Sequence, residues 1–438
     1  MMSGLRSVRA QLLGVALVAG YATTGLAQDW YAYDDGSALK GVNGPVTAVI
    51  ELPDCSILVG GAFSDAGSRT NLGNLARWNG SSWTTIGTLT GTNGAVRAMV
   101  MLPNGNVAIG GAFSQLPTPS FAVNNIAIYS QSAGTIGRLS AGFPNYGTGG
   151  AVLVLAVQST TGHLIVGGQF TTVGGTTVPA NRIARWTGTA WQAIGTGFNN
   201  DVLGLACDPV TGDIIAAGAF TQLGGGGSMQ YVAKWNGTAW MQVGSPPNSF
   251  ATSAAFSSSN ELYVGGNFTL PHQYAMQLSG NAWQPVLNPP TSTVIQLVAA
   301  LGGIVAVGSS GPLIISDNSS SGGSTLPTLA GIGRSIGVNH RGGLIVGGSF
   351  TATSLGTPVT NVAAFGLGIG GCGDVDFNND LLFPDDSDIA DFLAVLAGGQ
   401  CSTGYCDSID FNGDCIYPSD QDVLDFLTVL AGGTPVGC

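Results

Sequence analysis

Positive charge is scarce in this 438-residue chain, where 12 Lys and Arg stand against 24 Asp and Glu for a formal net charge of −12. So few cations cannot neutralise a run of phosphates, which excludes nucleic acid as a partner. Histidine is scarcer still: His163, His272 and His340 are the three in the chain, and no two have the spacing of a metal centre. After residue 27 no run reaches the roughly 18 apolar residues that a membrane span needs. Long helical stretches are missing too. The 70 glycines and 20 prolines interrupt helices and favour turns, so an all-β body is expected.

What is present falls into three compositional parts. Arg6 and Arg9 precede the apolar run Leu12 to Ala19, and Gly25-Leu26-Ala27 supplies the small residues of a cleavage site. Residues 1–27 are therefore expected to be an export signal, giving a secreted or cell-surface protein that begins near Gln28 and has no transmembrane segment once mature. Residues 28–371 hold 11 acids and 10 bases, whereas residues 372–438 hold 13 Asp and no Lys or Arg. The acids of that tail are interleaved with Phe, Ile, Val and Leu, which a merely solvating tail lacks. A bound cation is the expected reason for them.

The neutral part is a repeat. "ILVGGAF" at 57–63 recurs as "VAIGGAF" at 107, "LIVGGQF" at 164, "IIAAGAF" at 214, "LYVGGNF" at 262 and "LIVGGSF" at 344, with a degenerate "IVAVGSS" at 304. Each copy follows an aliphatic stretch and a turn. The better copies precede segments such as "NLARWNGSSWTTIG" (74–87), "RIARWTGTAWQAIG" (182–195) and "YVAKWNGTAWMQVG" (231–244). Four short strands every 40 to 57 residues predict the blades of a β-propeller, because a single sheet cannot cover both of its own faces. Seven blades are expected over 28–367, with six or eight as alternatives because the fifth and sixth units lack the "ARW" segment. The last unit has "NVAAF" but no fourth strand. "QDWYAYDDGSALKG" (28–41) resembles a fourth strand, so the strand at Trp30 is expected to close the ring.

The Gly-Gly after the second strand, with tryptophan about 20 residues later, resembles kelch-like propellers. A copper-oxidase activity of the galactose-oxidase type lacks its ligands here, and the sialidase Ser-x-Asp-x-Gly-x-x-Trp box is absent. Carboxylates for a glycosidase or lyase are Glu51, Asp54, Asp201, Asp208, Asp213 and Glu261; Asp54 and Asp213 stand in turns, where Asp serves local hydrogen bonds. Trp78, Trp83, Trp186, Trp191, Trp235 and Trp240 could form a sugar-stacking row, but recurrence with the repeat favours blade packing. Arg77, Arg185 and Lys234 recur likewise and read as half-exposed strand residues. No catalytic residue is assigned. The expected role is a non-catalytic interaction module, the alternative a carbohydrate-active enzyme or lectin with a polysaccharide ligand.

After a short linker (368–371), "DFNNDLLFPDDSDIADFL" from Asp376 is repeated 34 residues later as "DFNGDCIYPSDQDVLDFL" from Asp410. Oxygen-bearing side chains at loop positions 1, 3 and 5 open a calcium loop of the EF-hand kind. Ile389, Phe392, Leu393 and Leu396, and again Val423, Phe426, Leu427 and Leu430, follow at helical spacing and end in Leu-Ala-Gly-Gly. A loop and one helix, written twice over 372–438 and ending in Gly437-Cys438, resembles a dockerin of the GC type. The resemblance implies two calcium ions and a cohesin-like receptor or surface scaffold as partner. Its ligands would be Asp376, Asn378, Asp380 and Asp388 in the first loop and Asp410, Asn412, Asp414 and Asp422 in the second, with Asp386 and Asp420 reaching through water. Each closing Asp comes one position late, and Leu381 and Cys415 stand where an EF-hand turns on glycine. Weak binding, on the order of 10⁻⁴ M, is the consequence.

Five of the seven cysteines fall in this tail, as suits a small exported module. A helix of about 12 residues is roughly 18 Å long, too far for one disulfide to bracket. Antiparallel halves would pair Cys372 with Cys438 and Cys401 with Cys406, leaving Cys415 odd. Cys55 and Cys207 are expected to be separate buried thiols.

Overall fold

The computed structural model describes residues 30–365 apart from 88–90, 118–119, 140–147, 175–177, 301–302, 310, 318–325, 340–342 and 355, together with 386–397 and 420–430. The repeat units fold as seven antiparallel sheets, each a meander from an inner first strand outward. Blade one is Val46–Glu51, Ile57–Gly61, Leu75–Trp78 and Trp83–Thr84. Blades two to five repeat this order, beginning at Val96–Met101, Val152–Gln158, Val202–Cys207 and Ala251–Phe256. The sixth has three strands among the described residues, Val294–Ala300, Gly303–Gly308 and Leu313–Asp317.

The seventh blade closes the ring as the sequence predicts. Leu329–Val338, Leu344–Thr353 and Val362–Phe365 lack an outer strand of their own, and Tyr31–Ala32 supplies it, pairing Tyr31 with Ala364 and Ala32 with Ala363. Trp30 is buried at its base and donates its Nε1 hydrogen to the carbonyl of Pro327 at 2.7 Å. Each first strand touches the first strands of both neighbours, that of blade seven meeting blade one. No blade is left with an open inner face.

The repeated glycines have a specific cause. A Cβ on the first glycine of each pair would collide with the residue that opens the next blade, as at Gly60 with Val96, Gly110 with Val152, Gly167 with Val202, Gly265 with Val294 and Gly347 with Val46. Two junctions lack this arrangement, and each compensates. Where the second strand carries Ala217 instead of glycine, the next blade opens with Ala251, and both are fully buried in one cluster. Where it carries Val307, the facing position is Gly333, whose Cβ would lie 3.0 Å from that of Val307. Close packing holds the summed size of the pair near constant around the ring. The second glycine packs on its own blade: a Cβ on Gly266 would stand 2.5 Å from the Phe250 carbonyl oxygen.

The tryptophans join blades. Trp78, Trp83, Trp186, Trp191, Trp235 and Trp240 are all buried. Trp240 donates to the carbonyl of Ile194 in the preceding blade at 2.9 Å, and Trp283 to that of Ser245 at 2.9 Å. A sugar-stacking row would need exposed ring faces, so packing is their role. A second repeated device is a side-chain clamp. Asn43, Asn93, Asn199 and Asn248, three residues ahead of their first strands, each accept two backbone N–H bonds from the loop after the Phe of the same blade.

One cysteine expectation is corrected. Cys55 is disulfide-bonded, its partner lying outside the described residues, and it sits half-exposed in a tight turn with φ 55° instead of buried inside the sheet, where a bridge could not reach it. Cys207 is a free thiol, and burial pushes its pKa up to about 12.

Candidate functional site

Each of the seven first strands breaks register, just after its start in blades one to six and in the middle of the longer strand of blade seven, between Val46 and Ala48, Val96 and Ala98, Val152 and Val154, Val202 and Gly204, Ala251 and Ser253, Val294 and Gln296, and Gly333 and Ser335. A bulge of this kind re-aims one residue and frees local backbone groups from the ladder. The skipped residues are Thr47, Arg97, Leu153, Leu203, Thr252, Ile295 and Arg334, and all seven line one cavity of about 350 Å³ on the ring axis. Among the described residues no carboxylate lines it. Freed backbone groups are taken up between blades: Thr47 Oγ1 donates to the Val96 carbonyl at 2.5 Å and Thr252 Oγ1 to that of Val294 at 2.6 Å. Ser253 Oγ accepts from Leu297 N–H and Gln296 Oε1 from Ile336 N–H, both at 3.0 Å.

The carboxylates singled out in the sequence stand elsewhere. Asp54 is hydrogen-bonded by Ser56 and paired with Arg77. Burial raises its pKa, but the Ser56 bonds and then the Arg77 charge outweigh this and hold it low. Asp213 pairs with Lys234 at 3.1 Å, so Arg77 and Lys234 brace the turn of their own blade. Asp201 accepts from Gln169 Nε2 at 2.7 Å. Asp208 accepts the N–H groups of Val210 and Thr211, which hold its carboxyl low against the effect of burial. Asp208, Asp213 and Glu261 do border one groove of about 540 Å³ between blades four and five, shared with Lys234. His272 Nε2 lies 3.1 Å from the Trp283 carbonyl, His163 begins the second strand of blade three, and His340 lies outside the described residues. Among the described residues no three His, Cys, Asp or Glu form a group able to hold a metal ion.

In the tail two helices are described, α1 (Asp386–Leu396) and α2 (Asp420–Leu430). Asp386 and Asp388 fall in the first turn of α1, Asp420 and Asp422 in that of α2. Asp376, Asn378, Asp380, Asp410, Asn412 and Asp414 lie outside the described residues. Phe392 and Phe426, equivalent under the 34-residue offset, are buried and stack with centroids 4.0 Å apart at 6°. Leu393 and Leu427, expected on the same apolar face, are 51% and 48% exposed, since one aromatic pair fills the seam. Asp422 is fully buried, as are Asp391 and Asp425, with Gln421 Nε2 donating to Asp425 Oδ1 at 2.8 Å. Sequence reasoning passed over this second equivalent pair. Its signal was present in the repeated "DFL" that carries the phenylalanines.

No family model matches the chain, and no curated protein matches it. Among solved structures, the fold is similar to one described as the WD40 beta propeller domain of Doa1, with a TM-score of 0.52 at 15% identity, over 78% of this chain and 98% of that one. The chain has the fold of a WD40-like, seven-bladed β-propeller.

Proposed function

We propose that the protein is an exported, non-catalytic interaction module whose propeller is attached to a surface scaffold by a calcium-dependent, dockerin-like tail. The observation that carries this reading is the fully buried carboxylate of Asp422 at the position where the duplicated motif places a closing calcium ligand. Hard oxygen donors of this type suit calcium, and the motif that carries Asp422 is written twice at an offset of 34 residues. Asp376, Asn378, Asp380 and Asp388 would hold one ion and Asp410, Asn412, Asp414 and Asp422 the other, with Asp386 and Asp420 reaching through water. The ring supports the interaction role differently. Its tryptophans are consumed by packing and the acids by turns and ion pairs, which leaves the blade edges and channel mouths as recognition surface.

Calorimetric titration of the intact, oxidised chain with calcium tests the tail. Two ions per chain, with helical circular dichroism rising on binding, are expected, and Asp422→Asn should lose one of the two. Absence of calcium binding, or two ions still bound by Asp422→Asn, would overturn the assignment.

A further inference from the structure

We propose that the central channel binds a small carboxylate with an apolar body, held by the guanidinium groups of Arg97 and Arg334. Arg334, Thr47 and Arg97 are the bulge residues of blades seven, one and two, so they occupy neighbouring strands at matching register. They form one cationic, hydroxyl-bearing arc of the cavity wall. Leu153, Leu203 and Ile295 are the apolar bulge residues of blades three, four and six and face that arc from the rest of the wall, which also carries Thr252, Ser253 and Gln296.

Among the described residues two positive charges and no negative one line this cavity, in a chain whose formal net charge is −12. Neither arginine is in an ion pair among the described residues. Arg334 is oriented, its Nε donating to Ser349 Oγ at 3.0 Å, which leaves its terminal nitrogens for a ligand. Ser335, also on the lining, has a buried hydroxyl without a partner, whereas the equivalent Ser253 accepts from Leu297 N–H. Guanidinium groups match the planar, two-oxygen geometry of a carboxylate. A cavity of about 350 Å³ is at the small end of ligand pockets, which favours a compact ligand over a chain of sugars.

The test uses the intact protein titrated calorimetrically with hexanoate, with hexanol as neutral analogue and inorganic phosphate as the anion without an apolar body. Saturable one-site binding of hexanoate is expected, stronger than that of either comparator. Arg97→Gln should weaken it about tenfold or more, the loss of a charge-assisted bond, and Arg334→Gln similarly. Arg97 is exposed, so its variant should retain the wild-type melting temperature and keeps the test valid if Arg334→Gln does not fold. No saturable hexanoate binding, equal binding of hexanoate and phosphate, or undiminished binding by a folded Arg97→Gln would each overturn the proposal.

Discussion

Gly265→Ala should destabilise the ring, and adding Val294→Ala to it should take back part of that loss. An alanine Cβ at position 265 would stand 2.5 Å from Val294 Cγ1 and 3.0 Å from its Cβ, well inside the 3.5 to 4.0 Å of relaxed carbon contacts. Blades five and six would have to part or Val294 leave its rotamer, an overpacking cost of about 1 to 3 kcal/mol. The backbone at Gly265 is not left-handed, so the smaller unfolded-state entropy of alanine returns about 0.4 to 1 kcal/mol. Val294→Ala alone removes two methyl groups from a site 1% exposed, costing about 1.5 kcal/mol in transfer plus a cavity term. The double variant reproduces the Ala217/Ala251 pair that already occupies another junction. It should therefore cost less than the two single changes together by about 1 to 2 kcal/mol. Urea unfolding followed by tryptophan fluorescence at constant m would measure the cycle. Additive costs would refute the claim that these positions share one volume.

Trp30→Ala removes a buried ring and its bond to Pro327 from the closing strand, so a loss of about 3 to 5 kcal/mol is expected in the same unfolding assay; a loss under about 1 kcal/mol would mean that the ring does not depend on this closure. Asn199→Ala strips the acceptor from the exposed Thr221 and Gln222 N–H groups and should cost about 0.5 to 1.5 kcal/mol, read as a fall in urea midpoint. Lys234→Ala breaks a partly exposed pair and should change stability by less than about 1 kcal/mol. Cys207 should resist aromatic disulfide reagents in the native protein, since burial raises its pKa to about 12 and the thiolate is the reactive form. A raised folded-state pKa also means that its contribution to stability is full below the ordinary thiol range and lost as pH rises toward 12. Rapid labelling of the folded protein near neutral pH would contradict this.

The ring was legible because its devices repeat. The Gly-Gly pairs and "ARW" segments mark the second and third strands, and the unpaired "NVAAF" foretold that Trp30 would close blade seven. The channel was not legible, because Arg97 and Arg334 have no motif around them. They become neighbours in function only when seven bulges fall at one height, and a bulge leaves no mark in a strand that reads as continuous alternation. The compensation at Val307 and Gly333 was hidden for the same reason, since it lies between residues of different repeats. In the tail, helical spacing located both helices, yet could not say which of two adjacent apolar positions would be buried. Phe392 and Phe426 took the seam and left Leu393 and Leu427 outside.

Packing holds the ring and, on the proposed function, calcium holds the tail; hydrogen exchange of the intact, oxidised chain with and without chelator tests that division most directly. Calcium should slow exchange in peptides spanning 372–438 and leave the first and second strands of all seven blades unchanged. Protection lost from the ring strands on chelation, or a tail indifferent to calcium, would contradict it.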